Sequence, residues 1–260
     1  MSLPTTSRFV STATWASASA VAKRAKAPPI PSLVRPNASR RFMAQIAKPP
    51  LRLMPLGGSV TYGSESSNGN GYRKALRDKL FNGGYQVEMV GSRKAGSMEN
   101  NANEGWRGYR IDQIHNRATK SVPRLRPNLF TINAGSNDCL QDFELGLIEK
   151  RMSDLLEYLW SASPRATVIL STLVVNEEAS AELRVQRVNE HLRRLAQQRI
   201  TEKKRIVLAE MHGTDGPQVS DLADGTHPGD AGYEKMAEIW YSSIEEAAAH
   251  GFLQHPEPLD

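Results

Sequence analysis

The chain has 260 residues, enough to bury a substantial core in one domain, and it contains no run of roughly 18 apolar residues that could span a membrane as a helix. Residues 1–50 contain eight of the 33 Lys and Arg residues and none of the 28 Asp and Glu residues, so the net charge of +5 comes from this segment. Residues 51–260 carry 25 basic and 28 acidic side chains, which argues against a nucleic-acid-binding surface.

Residues 1–50 are rich in Ser, Thr, Ala, Pro and Arg and show no sustained apolar periodicity, so we predict a disordered basic leader or targeting segment. An Arg-rich, Ser-rich and acid-free composition is typical of a mitochondrial transit peptide, whereas the weakly apolar stretch at 9–22 imitates a secretory signal. A mispredicted start of the reading frame is a third interpretation. The leader therefore leaves the compartment open between secreted, mitochondrial and cytoplasmic.

From residue 51 onward, short apolar runs alternate with longer amphipathic segments, which is typical of a parallel sheet covered by helices. The apolar runs predict five strands, at 51–56, 86–90, 129–133, 167–172 and 206–210. The amphipathic segments predict five helices, at 71–81, 110–119, 143–161, 180–201 and 230–249. We therefore predict one α/β domain over 51–250 with a five-stranded parallel sheet, followed by a C-terminal tail over 251–260. Cys139 is the only cysteine, which excludes an intrachain disulfide.

Polar residues follow three of the predicted strands. Ser59 comes after the first strand, Asn137 after the third, and Asp224 and His227 lie in the loop after the fifth. In α/β sheets of this kind, ligands bind outside the carboxyl ends of the strands. We therefore expect these three remote segments to meet at one edge of the sheet.

Asp224 and His227 are spaced so that a tight turn can bring the carboxylate against the imidazole. A histidine accepts a proton from a weak nucleophile only when its tautomer and ring direction are fixed, and a neighbouring carboxylate fixes both. Ser59, preceded by two glycines, is the candidate nucleophile. The pattern predicts serine hydrolysis with Ser59 as nucleophile, His227 as general base and Asp224 as its orienting partner.

Ester hydrolysis also requires hydrogen-bond donors for the oxyanion that develops in the transition state. Candidates are the backbone N–H of Ser59, the backbone at Gly108 and the side-chain amide of Asn137. A plain turn glycine and an Asx-turn are the structural alternatives for Gly108 and Asn137. The remaining histidines lack paired metal-ligand spacing, so neither a metal site nor a cofactor is proposed.

Four short motifs occur in order along the chain: Gly57-Gly58-Ser59, Gly108 within a Gly-Trp-Arg-Gly-Tyr stretch, Gly135-Ser136-Asn137-Asp138, and Asp224-Gly225-Thr226-His227-Pro228. This set resembles the four blocks of the SGNH hydrolases, also called GDSL-like esterases. Within that superfamily, Leu53-Met54-Pro55-Leu56-Gly57, Gly71-Tyr72-Arg73, Val90-Gly91-Ser92 and the stretch from His227 to Met236 are most similar to the acetylxylan esterases of carbohydrate esterase family 3.

The resemblance implies a flavodoxin-like three-layer α/β/α sandwich and metal-free removal of short acyl groups, above all O-acetyl groups on carbohydrates such as acetylated xylan. It also favours a secreted monomer. One position departs from the family: residue 58 is Gly where the family usually has Asp. Because that Asp is not one of the three residues of the proton-transfer chain, we expect activity to survive.

Tyr62, Trp106 and Tyr109 flank the proposed site, and their rings could stack on a sugar or belong to the core. Two alternative functions remain open from the sequence. One is a lipid-directed GDSL acylhydrolase or lysophospholipase. The other is a carbohydrate-binding relative with weakened catalysis, an interpretation that Gly58 motivates.

Overall fold

A computed structural model describes residues 48–259. The predicted leader, up to residue 47, lies outside the described residues. Residues 48–50 and the predicted C-terminal tail contact the rest of the fold. The Asn128 side-chain amide donates to the backbone carbonyls of Pro50, at 2.8 Å, and Gln254, and the Thr167 hydroxyl donates to the carbonyl of Phe252 at 2.8 Å.

Seven strands form the central sheet: β1 Leu51–Gly57, β2 Val87–Met89, β3 Arg93–Lys94, β4 Ala102–Gly105, β5 Leu129–Asn133, β6 Thr167–Ser171 and β7 Ile206–Ala209. Their order is β3-β4-β1-β5-β6-β7, and β2 also pairs with β1. The first half of β1 pairs with β2 and its last two residues pair with β4. All pairings are parallel except that between β3 and β4. The parallel α/β sheet predicted from the sequence is therefore confirmed.

The five predicted strands correspond to β1, β2, β5, β6 and β7, whereas β3 and β4 are additional. The prediction of five strands was too low because these two are short and lack an apolar run: their sequences are Arg-Lys and Ala-Asn-Glu-Gly. Strand β4 joins the sheet through its backbone, with Leu56 opposite Glu104 and Gly57 opposite Gly105. The antiparallel β3 then forms the edge of the sheet beyond it.

Seven α-helices lie among the described residues: α1 Ser59–Tyr62, α2 Arg73–Asn82, α3 Ile111–Leu125, α4 Ser136–Leu140, α5 Ile148–Ala162, α6 Ala179–Thr201 and α7 Asp230–Ala249. The predicted bounds of α7 are reproduced, and α3 extends six residues beyond its predicted end. Helix α5 begins later than predicted because a 3-10 turn, Leu145–Leu147, precedes it. Helices α1 and α4 are too short to have shown amphipathic periodicity.

The helices cover both faces of the sheet, which gives the three layers. One apolar cluster joins the sheet to α3, α5 and α6, and a second joins it to α2 and α7. Successive strand residues point to opposite faces: Leu53 packs in the second cluster, and Met54 packs in the first. Every residue of β5 and β6 is buried, as expected for parallel strands covered on both sides. Within residues 48–259, no helix has the length and apolar character needed to cross a membrane.

Candidate active site

Ser59 is the first residue of α1, directly after a tight turn at the end of β1. A Cβ placed on Gly57 would lie 2.1 Å from the carbonyl oxygen of Asn133 and 2.4 Å from the Thr61 hydroxyl, so only glycine fits there. The Gly58 N–H donates to the same Asn133 carbonyl at 3.3 Å. The close approach of β1 and β5 thus sets the position at which the chain turns and presents the half-buried Ser59.

The side chains of Ser59, His227 and Asp224 form one hydrogen-bonded chain. His227 Nε2 lies 2.8 Å from Ser59 Oγ, and His227 Nδ1 lies 2.7 Å from Asp224 Oδ2. The other carboxylate oxygen of Asp224 accepts the backbone N–H groups of His227 at 2.7 Å and Thr226 at 3.0 Å. The sequence-predicted trio is thus brought together, with the imidazole between hydroxyl and carboxylate.

The Asp224 carboxylate is held in its ionised form. Burial acts to raise the pKa of Asp224, but the hydrogen bonds from the His227 backbone, the His227 ring and the Thr226 backbone outweigh burial and hold this pKa below its ordinary value. Asp224 is therefore an anion at neutral pH. An anion beside Nδ1 favours the tautomer that carries its proton on Nδ1 and leaves Nε2 free to accept a proton.

The loop carrying Asp224 and His227 is fixed by contacts with a second loop and with itself. The Glu177 N–H donates to the Gly225 carbonyl at 2.8 Å, and the Asn176 amide donates to the Thr226 hydroxyl at 3.1 Å. Gly225 adopts a φ of +79°, which favours glycine. The Ala223 N–H donates to the His227 carbonyl at 2.8 Å and closes the turn. These bonds fix the positions of Asp224 and His227 relative to each other in the turn.

A small cavity of about 10 Å³ opens beside Ser59, with Gly58, Tyr109 and Asn137 in its wall. This is room for about one water-sized group. The Asn137 side-chain amide donates to the Tyr109 carbonyl at 3.1 Å, and because a primary amide has two hydrogens, one is left for a ligand. The predicted donors Ser59 and Asn137 thus border one cavity.

Gly108 is placed differently from the other two predicted oxyanion-hole residues. Its φ of +78° is left-handed, so the position favours glycine, but it is Tyr109 rather than Gly108 that lines the cavity beside Ser59. The Gly108 carbonyl accepts the Gln141 amide at 3.3 Å. The turn at Gly108 therefore positions Tyr109, and the oxyanion role of Gly108 itself stays a prediction.

The three aromatic residues singled out from the sequence are half-buried, and Tyr109 packs against the apolar cluster that joins the sheet to α3, α5 and α6. The Trp106 and Tyr109 rings are in contact, with centroids 5.3 Å apart. The backbone N–H of Trp106 donates to the Gly57 carbonyl at 2.9 Å, which ties this aromatic pair to the turn before Ser59. Tyr62, at the end of α1, lies beside the guanidinium groups of Arg93 and Arg107. The rings border the site and retain exposed surface.

Arg73 lies behind the site, and the motif Gly71-Tyr72-Arg73 did not indicate what its side chain does there. This residue is fully buried, and its guanidinium donates only to backbone carbonyls, those of Tyr62, Gly69, Ala95 and Asn101 at 2.8 to 3.1 Å. Tyr62 ends the short helix that Ser59 begins. Arg73 thus connects that helix to two loops, and one fully buried side chain replaces several backbone donors.

Asp138, next to Asn137 in the chain, is a second supporting residue that the sequence pattern did not assign. Its carboxylate accepts the Ile111 N–H at 3.1 Å and Arg151 Nη2 at 2.9 Å, and the side chain is fully buried. Burial raises the pKa of Asp138, although the Ile111 N–H and Arg151 oppose this rise. The contacts tie α4, which carries Asn137, to α3 and α5. Within residues 48–259, no group of three His, Cys, Asp or Glu side chains is placed to hold a metal ion.

Comparison with known proteins defines the class to which this fold and site belong. The model of the GDSL-like Lipase/Acylhydrolase family matches residues 56–235, and the chain belongs to that family. This is the family that the order of motifs in the sequence predicted.

Three individual proteins are similar to this chain in sequence or in fold. A multidomain esterase from Ruminococcus flavefaciens is 27% identical over 224 residues, and the match covers 75% of this chain but only 28% of that relative. A family 3 carbohydrate esterase from Clostridium thermocellum is similar in fold, with 24% identity, a TM-score of 0.69 and coverage of 77% of this chain and 98% of the other. A family 3 carbohydrate esterase from Talaromyces cellulolyticus gives 20% identity, a TM-score of 0.67 and coverage of 77% and 99%.

Proposed function

We propose that this protein is a serine esterase that removes short acyl groups, above all O-acetyl groups on carbohydrates. The observation that carries the proposal is the hydrogen-bonded chain from Ser59 Oγ through the His227 ring to Asp224, at 2.8 and 2.7 Å. These distances lie within the reach that proton transfer between a nucleophile and its base requires.

The reaction follows from this geometry. Ser59 Oγ attacks the acyl carbonyl carbon while its proton passes to His227 Nε2, and the carbonyl oxygen becomes an oxyanion next to the Ser59 N–H and the Asn137 amide. Collapse breaks the bond to the alcohol oxygen, which leaves with the proton from Nε2. Water then attacks the acyl-serine, gives its proton to Nε2, and releases the acid as Ser59 recovers its proton. Asp224 stabilises the imidazolium at both stages.

Two features support a short acyl group on a carbohydrate. The cavity beside Ser59 has room for about one water-sized group, such as the carbonyl oxygen, and no further room for a long alkyl chain, which favours acetyl. The half-buried rings of Trp106 and Tyr109 retain exposed surface at the border of the site, and aromatic rings are groups against which sugar rings pack. The relatives described as family 3 carbohydrate esterases point to the same substrate class, as does the resemblance in the sequence.

A lipid-directed acylhydrolase is the second candidate, because the family to which the chain belongs includes lipases. A series of p-nitrophenyl esters separates the two candidates, since acetate and octanoate differ in the chain length that the small cavity beside Ser59 must accept. We expect faster hydrolysis of acetate. Greater activity on octanoate would favour the lipid-directed enzyme.

The central test is release of acetate from acetylated xylan, compared with other acetylated polymers, together with labelling of Ser59 by a fluorophosphonate. We expect acetate release above buffer and labelling that the Ser59→Ala substitution abolishes. If Ser59 is not labelled and p-nitrophenyl acetate is not hydrolysed above buffer, the chain is the non-catalytic carbohydrate-binding relative, and the proposal of an esterase is wrong.

A further inference from the structure

A second, larger cavity lies on the far side of Trp106 and has an unusual charge. Its volume is about 360 Å³, within the range of about 300–1,000 Å³ in which small-molecule sites fall. Four cationic side chains line the cavity: Arg93 on β3, and Arg117, Lys120 and Arg124 on α3. The three helix residues are spaced by three and four positions, so they share one face. Four cations thus line a single cavity in a domain whose overall charge is slightly negative.

Within residues 48–259, none of these four cations has a carboxylate within ion-pair distance. Glu104 is the single acidic residue in the wall, and its oxygens are already engaged: they accept the Ser92 N–H and hydroxyl and the Trp106 indole N–H at 2.8 to 3.0 Å. The negative end of α3 stabilises a cation at Arg124, but it does not account for Arg93 on another element. The excess positive charge in the cavity therefore lacks a neutralising carboxylate within the described chain.

The cavity is connected to the site at Ser59 through side chains in direct contact. The Arg117 guanidinium lies 4.2 Å from the centre of the Trp106 ring, and its Nη2 donates to the Tyr109 hydroxyl at 2.8 Å. Arg93 lies 4.6 Å from the Trp106 ring. Tyr109 in turn lines the small cavity next to Ser59. The aromatic pair Trp106 and Tyr109 therefore separates the basic cavity from the small cavity beside Ser59.

We propose that the basic cavity is a subsite for the carboxylate of a uronic acid unit, carried by the same sugar chain as the acyl group that Ser59 attacks. Guanidinium groups match a carboxylate with paired hydrogen bonds, and the Trp106 ring holds the guanidinium groups of Arg93 and Arg117 at the wall of the cavity. The inference rests on the proposed function and adds to it a preference for acidic polysaccharides. The relevant binding energy comes from the substrate chain beyond the acyl group, so the preference is expressed mainly in KM.

The test compares acetylated xylan fragments that carry a glucuronic acid side group with the same fragments lacking it. In the wild-type chain at low salt we expect the acidic fragment to have the higher kcat/KM, with the advantage shrinking as salt is added. The double variant Lys120→Gln/Arg124→Gln should reduce the acidic-to-neutral ratio of kcat/KM about tenfold, mostly through KM. Both side chains are exposed, so their replacement leaves the core intact.

A matched control removes the same charge elsewhere. Arg165 and Arg187 are exposed and lie outside the basic cavity, so the double variant Arg165→Gln/Arg187→Gln should keep the acidic-to-neutral ratio within about twofold. Equal ratios in the wild type and in the Lys120→Gln/Arg124→Gln variant would overturn the subsite. An absence of p-nitrophenyl acetate hydrolysis would instead overturn the proposed function, so the two failures are distinguishable.

Competition identifies the chemistry of the anion. We expect free glucuronate to inhibit hydrolysis of the acidic fragment at a lower concentration than inorganic phosphate does, and the Lys120→Gln/Arg124→Gln variant to lose this inhibition. Stronger inhibition by phosphate than by glucuronate, lost in the same variant, would assign the cavity to a phosphate ester and overturn the carboxylate assignment.

Discussion

The carbonyl oxygen of Asn133 occupies the space that a side chain on Gly57 would need, 2.1 Å from the position of its Cβ. A Cβ on Gly58, by contrast, would meet only the Asn137 amide nitrogen, at 3.4 Å, and the Trp106 carbonyl, at 4.0 Å. The two neighbouring glycines in the nucleophile turn therefore differ in what packing allows. Glycine is required at position 57 by the packing of β1 against β5, whereas position 58 has room for the Cβ of a larger residue.

We therefore expect opposite effects from the same substitution at the two positions. Gly57→Ala should lower the free energy of unfolding by more than about 2 kcal/mol, because backbone must move to admit the methyl group. Gly58→Ala should leave stability unchanged or raise it by up to about 1 kcal/mol, since alanine restricts the unfolded chain. Urea denaturation of both variants measures the difference. Equal losses at the two positions would contradict the packing described here.

Replacement of Ser59 tests the nucleophile. Ser59→Ala should reduce kcat for p-nitrophenyl acetate by about 1,000-fold or more, because no hydroxyl remains to attack the carbonyl. The unfolding midpoint should change little, because Ser59 is half-buried and leads a four-residue helix. Ser161→Ala is the matched control: Ser161 is exposed near the end of α5, before β6, and should keep full activity. Substantial residual turnover in Ser59→Ala would assign the reaction to another group.

Asp224 sets the orientation of the His227 ring, so its replacement by the isosteric amide should act on kcat. In Asp224→Asn the amide favours the wrong tautomer, and we expect kcat to fall by about 10²–10⁴-fold while KM changes little. Circular dichroism should be unchanged. A loss confined to KM would mean that Asp224 contacts substrate instead of orienting the imidazole.

The pH dependence follows from the direction of the Asp224 shift. The pKa of Asp224 is held below its ordinary value, so Asp224 stays ionised between pH 5 and 8, at least about one unit above the ordinary aspartate pKa of about 3.9. We therefore expect that any fall in kcat/KM on acidification within this range does not come from protonation of Asp224. The stability that Asp224 contributes is present above the unfolded pKa and is lost as pH falls through the folded one. An Asp224 pKa above the ordinary aspartate value, measured by NMR titration of the folded chain, would contradict this prediction.

Burial raises the pKa of the Cys139 thiol to about 12, with the Asp138 charge adding to the effect. The thiol should therefore be almost entirely protonated at pH 8 and closed to reagents in the folded chain. We expect no reaction with 5,5′-dithiobis(2-nitrobenzoate) in native conditions and one equivalent in 6 M guanidinium chloride. The unfolded sample is the control for the reagent. Rapid reaction of the native chain would show that α4 opens readily.

The apolar periodicity of the sequence was sufficient to predict β1, β5, β6 and β7 and both bounds of α7, because buried elements impose a hydrophobic pattern. It could not predict β4, whose Asn103 and Glu104 are buried through hydrogen bonds and not through apolar contact. The motifs likewise located Ser59 and His227, and they placed Tyr109 beside the site without showing that it lines the small cavity, because the direction of a turn depends on its tertiary surroundings.

The burial of Arg73 illustrates the same limit, because Arg73, Lys74 and Arg77 look alike in the sequence of α2, yet only the first is fully buried. Its planar guanidinium donates to four backbone carbonyls, which belong to the end of α1 and to two loops. A lysine ammonium at this position has three N–H donors on one atom, so it would leave at least one of the four carbonyls without a partner.

We therefore expect Arg73→Lys to lower the free energy of unfolding by about 2–4 kcal/mol, even though it keeps the charge, since each unsatisfied buried carbonyl costs about 1–3 kcal/mol. Arg77→Lys, on the same helix at a half-buried position, is the control and should change stability by less than about 0.5 kcal/mol. Urea titration followed by tryptophan fluorescence measures both. Because Tyr62 ends the helix that begins at Ser59, the Arg73→Lys variant should also lose kcat at temperatures where it remains folded. Equal stability of the two variants would show that charge alone, and not the fork of donors, is what this buried site requires.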